Sequence, residues 1–180
     1  SKGDEMISGI FEMPITDESY PFSSAERYCH LSAKDYVERE YRVDGTANVY
    51  RTADEDGGVE VMTADAPYSN RIVVRAPKDP AQASGNVVVE IINPTSFMEI
   101  ERMWILGHGE FVRSGDIYVG ITSKPNTIAK LKEFNPDRYA FMSWANPTPE
   151  RPFDFDPEQL ERDGALPDMD ISYETGLFWD

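Results

Sequence analysis

The region that most constrains the fold is residues 86–123, where the hydrophobic pattern changes from that of a strand to that of a helix and back. Residues 87–92 (VVVEII) form an apolar, β-branched run that is too short for a stable helix and predicts a buried strand. From about Ile100 the apolar side chains recur every three or four residues, which predicts an amphipathic helix ending at Gly115. Residues 117–121 (IYVGI) predict a second strand. This order predicts a βαβ unit, in which the two strands are parallel.

The carboxyl ends of these two strands form a candidate site. In an open parallel sheet, ligands and catalytic groups gather at the carboxyl ends of the strands. In this chain those ends are residues 93–96 (NPTS) and 122–124 (TSK). Ordinary connections have the same composition, because Asn, Pro, Thr and Ser favour turns. The position of these segments therefore suggests a site, and their chemistry must be argued from other features.

The rest of the chain predicts a mixed α/β domain, with mostly antiparallel strands leading into the parallel unit. Asp44 and Gly45 form a turn signal between two short strand patterns, which together predict a β-hairpin. Ala66 and Pro67 predict the start of a loop before the next strand. The predicted elements are strands at 6–13, 36–43, 46–51, 59–62 and 70–75, and a helix at 126–133.

Composition excludes several classes of function. A chain of 180 residues with 40% hydrophobic residues is expected to form one medium-sized domain. Its formal net charge of −16 argues against nucleic-acid partners and anionic membranes. No apolar run approaches the roughly 20 residues of a membrane span. The single cysteine, Cys29, allows no internal disulfide and no cysteine metal site. No signal sequence is present, which leaves the compartment open, including secretion or a periplasmic location after signal removal.

The sequence contains none of the common catalytic or cofactor-binding motifs. G-x-S-x-G, the phosphate loop, H-E-x-x-H and G-x-G-x-x-G are all missing. His108 lies on the predicted helix face, where packing or local hydrogen bonding is a better explanation than catalysis. Glu90 is a charge inside a strand predicted to be buried, so it must face a polar cavity or a partner. Arg71 and Arg75, on a neighbouring strand, are the predicted partners.

Three segments resemble the amino-terminal half of the α/β-hydrolase domain family, a group of serine esterases: residues 36–50 (YVEREYRVDGTANVY), residues 67–77 (PYSNRIVVRAP) and residues 87–123. Residues 135–142 (NPDRYAFM) and 174–180 (ETGLFWD) are similar in kind, so the resemblance covers residues 36–180. It implies the amino-terminal half of one α/β-hydrolase domain. The implied parts are an amino-terminal extension (1–35), an early sheet with an oxyanion loop (36–145), and an acidic loop with the start of the next helix (146–180).

The resemblance also implies how the chain would act. Residues 93–96 would be the oxyanion loop. Because Pro94 has no N–H, Thr95 or Ser96 would be the better candidate donor, with the Asn93 side chain as the alternative. The Ser–Asp/Glu–His triad would lie outside residues 1–180, in a carboxyl-terminal half of the same protein that is its expected partner. The implied substrate is a small-molecule ester, with no cofactor and no metal.

Two other functions remain open from the residues alone. Residues 150–180 carry ten carboxylates against Arg151 and Arg162, which suggests a non-catalytic module that binds a basic protein. A lyase or isomerase that uses Glu90 or His108 as its base is the weaker alternative.

Overall fold

The computed structural model describes residues 6–52, 58–95 and 98–144, and these form six strands and four α-helices. The strand order is β1-β2-β3-β5-β4, and β6 pairs with β3. None of the helices within these ranges is long and apolar enough to cross a membrane. The strands are β1 (Ile7–Met13), β2 (Tyr36–Thr52), β3 (Val59–Pro77), β4 (Val87–Ile91), β5 (Ile117–Ile121) and β6 (Ser143–Trp144), and the helices are α1 (Ala25–Cys29), α2 (Arg102–Ser114), α3 (Pro125–Phe134) and α4 (Pro136–Tyr139). Short 3-10 helices span Leu31–Lys34 and Pro80–Gln82.

The predicted βαβ unit is confirmed. Strands β4 and β5 pair in parallel, with Val89 opposite Val119, and helix α2 connects them. Gly115 ends the helix with φ of 80°, in the left-handed conformation that glycine adopts without strain. The helix begins at Arg102 instead of near Ile100, because Ile100 forms a β-bridge with Asn93.

The prediction that residues 87–92 are buried throughout is wrong. Val87, Val89 and Ile91 are 55%, 52% and 58% exposed, whereas Glu90 and Ile92 are buried. Successive side chains of a strand point to opposite faces, and the described residues cover only one face of β4. Strand β4 is also the last in the strand order, so it has no further neighbour among the described residues.

The predicted hairpin around Asp44 and Gly45 is also wrong, because β2 is one continuous strand of 17 residues. Gly45 does not turn the chain. A Cβ at this position would lie 2.2 Å from the carbonyl oxygen of Met6, and the Thr46 N–H donates to that oxygen at 2.8 Å. The glycine therefore permits a close approach of neighbouring backbone, which is a recognised role of glycine inside strands.

The loop predicted at Ala66 and Pro67 is likewise absent, because β3 is continuous over 19 residues. An irregular step occurs just before them at Asp65, whose φ is 54°. The Asp65 N–H donates to Asn48 Oδ1 at 3.3 Å, which supplies a partner where the backbone departs from regular strand geometry. The strand then continues, with Ala66 buried.

The chain divides into two compact units, and the first contains residues 6–9, 43–52, 58–70 and 123–144 of the described chain. In this unit β6 pairs antiparallel with β3, with Tyr68 opposite Trp144. Helix α3 confirms the helix predicted at 126–133 and packs against α4 and β6. The fully buried side chains of this unit include Leu131, Tyr139 and Met142.

The second unit contains the described residues of Ile10–Arg42 and Arg71–Thr122. Its core joins side chains from β2, β3, α2 and β5 with those of the short helices: Ala25, Leu31, Tyr36, Val73, Trp104 and Tyr118. The Trp104 and Tyr118 rings lie 5.1 Å apart. The Tyr36 hydroxyl lies 2.9 Å from the carbonyl oxygen of Phe111 and 3.0 Å from that of Asp116, so it supplies a donor at the end of α2.

Two glycine substitutions should have opposite effects on the stability of this unit. In Gly115→Ala, the new Cβ would lie 2.4 Å from the carbonyl oxygen of Gln82 in a left-handed backbone, so the free energy of unfolding should fall by at least about 1–2 kcal/mol. In Gly109→Ala, inside α2, a Cβ meets no described atom within 4 Å, and the free energy should rise by roughly 0.5–1 kcal/mol. Urea denaturation measures both, and equal effects would contradict this account of α2.

Candidate functional site

The loop between β4 and α2 is closed at its base by backbone hydrogen bonds. The Ile100 N–H donates to the Asn93 carbonyl at 2.9 Å, and the Asn93 N–H donates to the Ile100 carbonyl at 3.3 Å. Just before the loop, the Ile92 N–H donates to the Ile121 carbonyl at 2.9 Å and extends the β4–β5 pairing. We call the described residues 93–95 and 98–100 the Asn93 loop. It begins at the carboxyl end of β4, where the sequence predicts a site.

The Asn93 side chain has a defined orientation. Its Oδ1 accepts a hydrogen bond from the Thr95 N–H at 2.8 Å and another from the Thr95 hydroxyl. An N–H group can only donate, so the oxygen of the amide must face Thr95 and the Nδ2 group must face away from it. Within the described part of the chain, Asn93 Nδ2 donates to no atom. The loop therefore holds an oriented amide donor with no acceptor among the described residues.

The three predicted oxyanion donors thus differ in their surroundings. Asn93 Nδ2 is available, and its residue is half-buried. The Thr95 N–H is engaged by Asn93 Oδ1 in a local turn of the kind that Asn commonly forms. Ser96 lies outside the described residues. Of the candidates whose geometry is described, the Asn93 side chain is the one best prepared to donate to a ligand.

Glu90 has partners other than those predicted. Its carboxylate accepts hydrogen bonds from the Met103 N–H at 2.9 Å and the Trp104 N–H at 3.2 Å, in the first turn of α2, and from the Tyr118 hydroxyl at 2.6 Å. The expectation that Glu90 requires a partner is confirmed, but the assignment of Arg71 and Arg75 is wrong. The physical reason is that a helix start carries N–H groups with no partner in the helix, together with the positive end of its dipole.

The Tyr118–Glu90 contact predicts a loss of stability at alkaline pH. Burial raises the pKa of Tyr118 well above its ordinary value near 10, and the charge of Glu101 and the hydrogen bond to Glu90 raise it further. The folded state then keeps a proton that the unfolded chain releases, so stability is full below pH 10 and falls as the pH rises further. Urea denaturation below pH 10 and at pH 11 measures how much free energy of unfolding each protein loses. The loss should be about 1 kcal/mol smaller in Tyr118→Phe than in the wild type, because the variant has no phenol at this position. Equal losses in the two proteins would contradict the prediction.

Two buried arginines on β3 and four buried glutamates form a charge cluster, and none of these side chains is more than 7% exposed. The glutamates come from β2 and from the segment that leads into α2. The cluster consists of Arg71, Arg75, Glu38, Glu40, Glu99 and Glu101. Its carboxylates outnumber its guanidinium groups by two to one, so each arginine must serve two acceptors.

Arg75 forms the part of the charge cluster near the start of α2. Its Nε donates to Glu38 at 2.8 Å, and its two terminal nitrogens contact the Glu101 oxygens at 3.0 and 2.8 Å. The guanidinium carbon lies 4.5 Å from the centre of the Trp104 ring and 5.2 Å from that of Tyr118. Burial alone would lower the pKa of Arg75, but the charges of Glu101 and Glu38 outweigh this effect and raise it. Arg75 therefore stays charged despite its burial.

Arg71 forms the part of the charge cluster near the Asn93 loop. Its Nε donates to Thr122 Oγ1 at 3.1 Å, and its terminal nitrogens contact Glu40 at 3.4 Å and Glu99. Thr122 directly follows β5, and Glu99 belongs to the Asn93 loop. Arg71 therefore connects the two strand ends that the sequence places at one edge of the sheet. Ser123 and Lys124, the other residues of the second end, belong to the first unit.

Sequence reasoning missed this cluster because a strand prediction for residues 36–43 does not by itself show which face of the strand is buried. Tyr36, Glu38 and Glu40 share one face of β2, and that face is buried. The sequence does contain one signal for the cluster, which is a pair of opposite charge patterns. Glu38 and Glu40 are two positions apart on one strand and Arg71 and Arg75 are four apart on another, so each pair shares a single strand face.

The remaining chemistry-bearing residues have local roles. His108 Nδ1 lies 3.0 Å from the Trp104 carbonyl oxygen, and the two rings are 5.6 Å apart, as expected for a residue that packs on its own helix. Cys29 packs against the core of the second unit. Among the described residues, no group of three or more His, Cys, Asp or Glu side chains has the geometry to hold a metal ion.

Comparison with known proteins gives one match. A family model described as "Alpha/beta hydrolase domain" matches residues 11–180, which include the second unit except Ile10, and with it the Asn93 loop and the charge cluster. No curated protein and no solved structure matches the chain.

Proposed function

The chain belongs to the alpha/beta hydrolase domain family, and from this premise we propose that it forms part of a serine carboxylic-ester hydrolase. The mixed sheet with its helices is an α/β-hydrolase-type fold, and the family supports a hydrolase role in general. The ester substrate, the serine nucleophile and the roles of the individual residues are our proposal.

The observation that carries the proposal is the available amide of Asn93 at the carboxyl end of β4. Acyl transfer passes through a tetrahedral intermediate with a negatively charged oxygen, and enzymes stabilise that oxygen with hydrogen-bond donors fixed in advance. Asn93 Nδ2 meets this requirement, because the bond from the Thr95 N–H to Oδ1 fixes the orientation of the amide before any ligand binds. Its position directly after a strand agrees with the rule that sites lie at the carboxyl ends of strands in α/β sheets.

We place the nucleophile outside residues 1–180. The sequence contains no G-x-S-x-G nucleophile motif. Among the described residues, the face of β4 formed by Val87, Val89 and Ile91 is exposed, and β4 is the last strand in the order. Both observations support a further element packing there. A carboxyl-terminal half of the same protein, with a Ser–Asp/Glu–His triad, would cover this face and bring the serine to the Asn93 loop.

The mechanism is acyl transfer in two stages. The serine hydroxyl attacks the ester carbonyl carbon while its proton passes to the histidine, and the carbonyl oxygen becomes an oxyanion that accepts a hydrogen bond from Asn93 Nδ2. The intermediate collapses, the carbon–oxygen bond to the alcohol breaks, and the histidine protonates the departing alcohol. Water then attacks the acyl-serine by the same steps in reverse and releases the acid. No metal or organic cofactor takes part in this scheme.

The proposal is tested with the protein that contains this chain together with its carboxyl-terminal half. It should hydrolyse p-nitrophenyl acetate, and a fluorophosphonate should label one serine outside residues 1–180 and abolish the hydrolysis. Enzyme treated with the phosphonate before the assay is the control for spontaneous hydrolysis. Absence of hydrolysis across short and long p-nitrophenyl esters, together with absence of labelling, would overturn the proposal.

The two alternative functions receive no support from the described residues. Residues 150–180, which motivate an acidic binding module, lie outside them. Glu90 and His108, the bases considered for a lyase or isomerase, are held by helix α2: Glu90 accepts hydrogen bonds from two of its N–H groups, and His108 contacts its Trp104 carbonyl. These contacts favour structural roles for both residues.

A further inference from the structure

The contacts of Arg71 include two groups on or next to the strands of the sheet and one in the Asn93 loop. Its side chain is 1% exposed, and its contacts are Thr122 Oγ1, the Glu40 carboxylate and the Glu99 carboxylate. Glu40 lies within β2, and Thr122 directly follows β5. Glu99 is the only one of the three in the Asn93 loop. The sheet therefore fixes the guanidinium group, and the guanidinium group fixes Glu99.

The position of Glu99 determines that of Asn93 through one intermediate residue. Glu99 precedes Ile100, whose N–H donates to the Asn93 carbonyl at 2.9 Å. A fixed Glu99 holds Ile100, and the bridge between Ile100 and Asn93 then holds the backbone from which the Asn93 amide projects. A chain of direct contacts thus runs from β3 to the proposed oxyanion donor.

Stability alone is a poor explanation for such an arrangement. A buried ion pair must overcome the loss of hydration of both charges, and well-packed apolar side chains are often at least as stabilising. Arg71 also has two carboxylates and one hydroxyl around a single guanidinium group. The planar fork of arginine can donate to all three in fixed directions, which the single nitrogen of lysine cannot do.

From these contacts we infer that Arg71 is a positioning residue, which acts through Glu99 and Ile100 to hold the Asn93 amide where the oxyanion forms. Its effect on catalysis rests on the proposed function. Its effect on the loop does not, because the contacts from Arg71 to Asn93 exist whatever the reaction is.

The test compares Arg71→Lys with Ser24→Ala. Lysine keeps the positive charge and loses the three-way contact. Ser24→Ala removes a buried 2.6 Å hydrogen bond to Glu38, elsewhere in the charge cluster, without touching the Asn93 loop. Amide hydrogen exchange at Ile100 should accelerate at least about tenfold in Arg71→Lys, relative to the β4–β5 amides, because the bridge to Asn93 loosens. In Ser24→Ala the Ile100 exchange, on the same relative scale, should be unchanged.

Kinetics of the whole enzyme provide the second measurement. In Arg71→Lys, kcat for p-nitrophenyl acetate should fall roughly 10- to 100-fold, with KM within about threefold of the wild type. The substitution misplaces the oxyanion donor and leaves the groups that bind the substrate unchanged. In Ser24→Ala both constants should be close to the wild type. If Arg71→Lys does not fold, Glu99→Gln supplies the same two measurements, because it removes the charge that Arg71 holds and keeps a hydrogen-bonding oxygen.

The outcomes separate the inference from the proposed function. Unchanged Ile100 exchange in Arg71→Lys and Glu99→Gln would overturn the inference, as would faster exchange with an unchanged kcat. A wild-type enzyme that hydrolyses no ester would overturn the proposed function and the catalytic part of the inference, while exchange would still decide whether Arg71 holds the Asn93 loop.

Discussion

Replacing Asn93 by aspartate should lower kcat for ester hydrolysis by roughly 100- to 1,000-fold, with little change in KM. Aspartate has the size of asparagine and keeps an oxygen that accepts from the Thr95 N–H, so the local turn should persist. It lacks the Nδ2 donor and places a second carboxylate oxygen next to the position where the oxyanion would form. The loss of a donor and the added repulsion both raise the energy of the transition state. Steady-state kinetics with p-nitrophenyl acetate measures the effect.

Thr95→Val is the matched control for this prediction. It removes the hydroxyl that shares Asn93 Oδ1 and leaves the Thr95 N–H in place, so kcat should change by less than about fivefold. If Asn93→Asp kept more than about a third of the wild-type kcat, the loss would fall far short of that expected for an oxyanion donor, and Asn93 would be excluded as one. The backbone of Thr95 or Ser96 would then be the remaining candidate.

Replacing Arg75 by methionine should lower the free energy of unfolding by about 3–5 kcal/mol. Methionine has a similar length and packs well, but it leaves the Glu38 and Glu101 carboxylates buried without a counter-charge. It also removes the cation that lies over the Trp104 ring. Urea denaturation followed by Trp fluorescence and far-ultraviolet circular dichroism measures the loss.

Arg113→Met is the control, because Arg113 forms an ion pair with Glu110 on the exposed surface of α2. Screening by water makes such pairs weak, so this substitution should lower the free energy of unfolding by less than about 0.5 kcal/mol. The triple variant Arg75→Met, Glu38→Gln, Glu101→Gln should recover part of the loss, because neutral side chains are less costly to bury. Similar losses in Arg75→Met and Arg113→Met would contradict the account of a buried charge cluster.

Much of the second unit is predictable from local patterns. The change of hydrophobic period in residues 86–123 locates β4, α2 and β5, and Gly115 marks the helix end, because these signals depend on residues close in sequence. The same signals fail at Asp44 and Gly45. A turn signal reports what a short segment prefers in isolation, whereas the neighbouring backbone at Met6 requires a glycine inside a continuous strand.

The charge cluster is not predictable in the same way. Alternation places Glu38 and Glu40 on one face of a strand, and a charged face normally indicates solvent. Only the pairing with Arg71 and Arg75, which are distant in sequence, makes burial of that face favourable. Tertiary contacts thus decide which face of β2 is buried, and a prediction based on single segments cannot contain them.

The candidate site is predictable in place but not in detail. The strand-end rule leads to residues 93–96, and the lack of an N–H in Pro94 follows from its chemistry. The difference between Asn93 and Thr95 depends on one hydrogen bond, from the Thr95 N–H to Asn93 Oδ1, which no sequence pattern contains. The role of Ser96 stays a prediction, because Ser96 lies outside the described residues.

The most direct test of the central claim is a crystal structure of the whole enzyme after reaction with a fluorophosphonate, whose phosphonyl oxygen occupies the place of the oxyanion. We predict that Asn93 Nδ2 lies about 2.7–3.1 Å from that oxygen and that the labelled serine belongs to a segment outside residues 1–180. A phosphonyl oxygen bound by other groups, with Asn93 Nδ2 more than about 4 Å away, would contradict the claim.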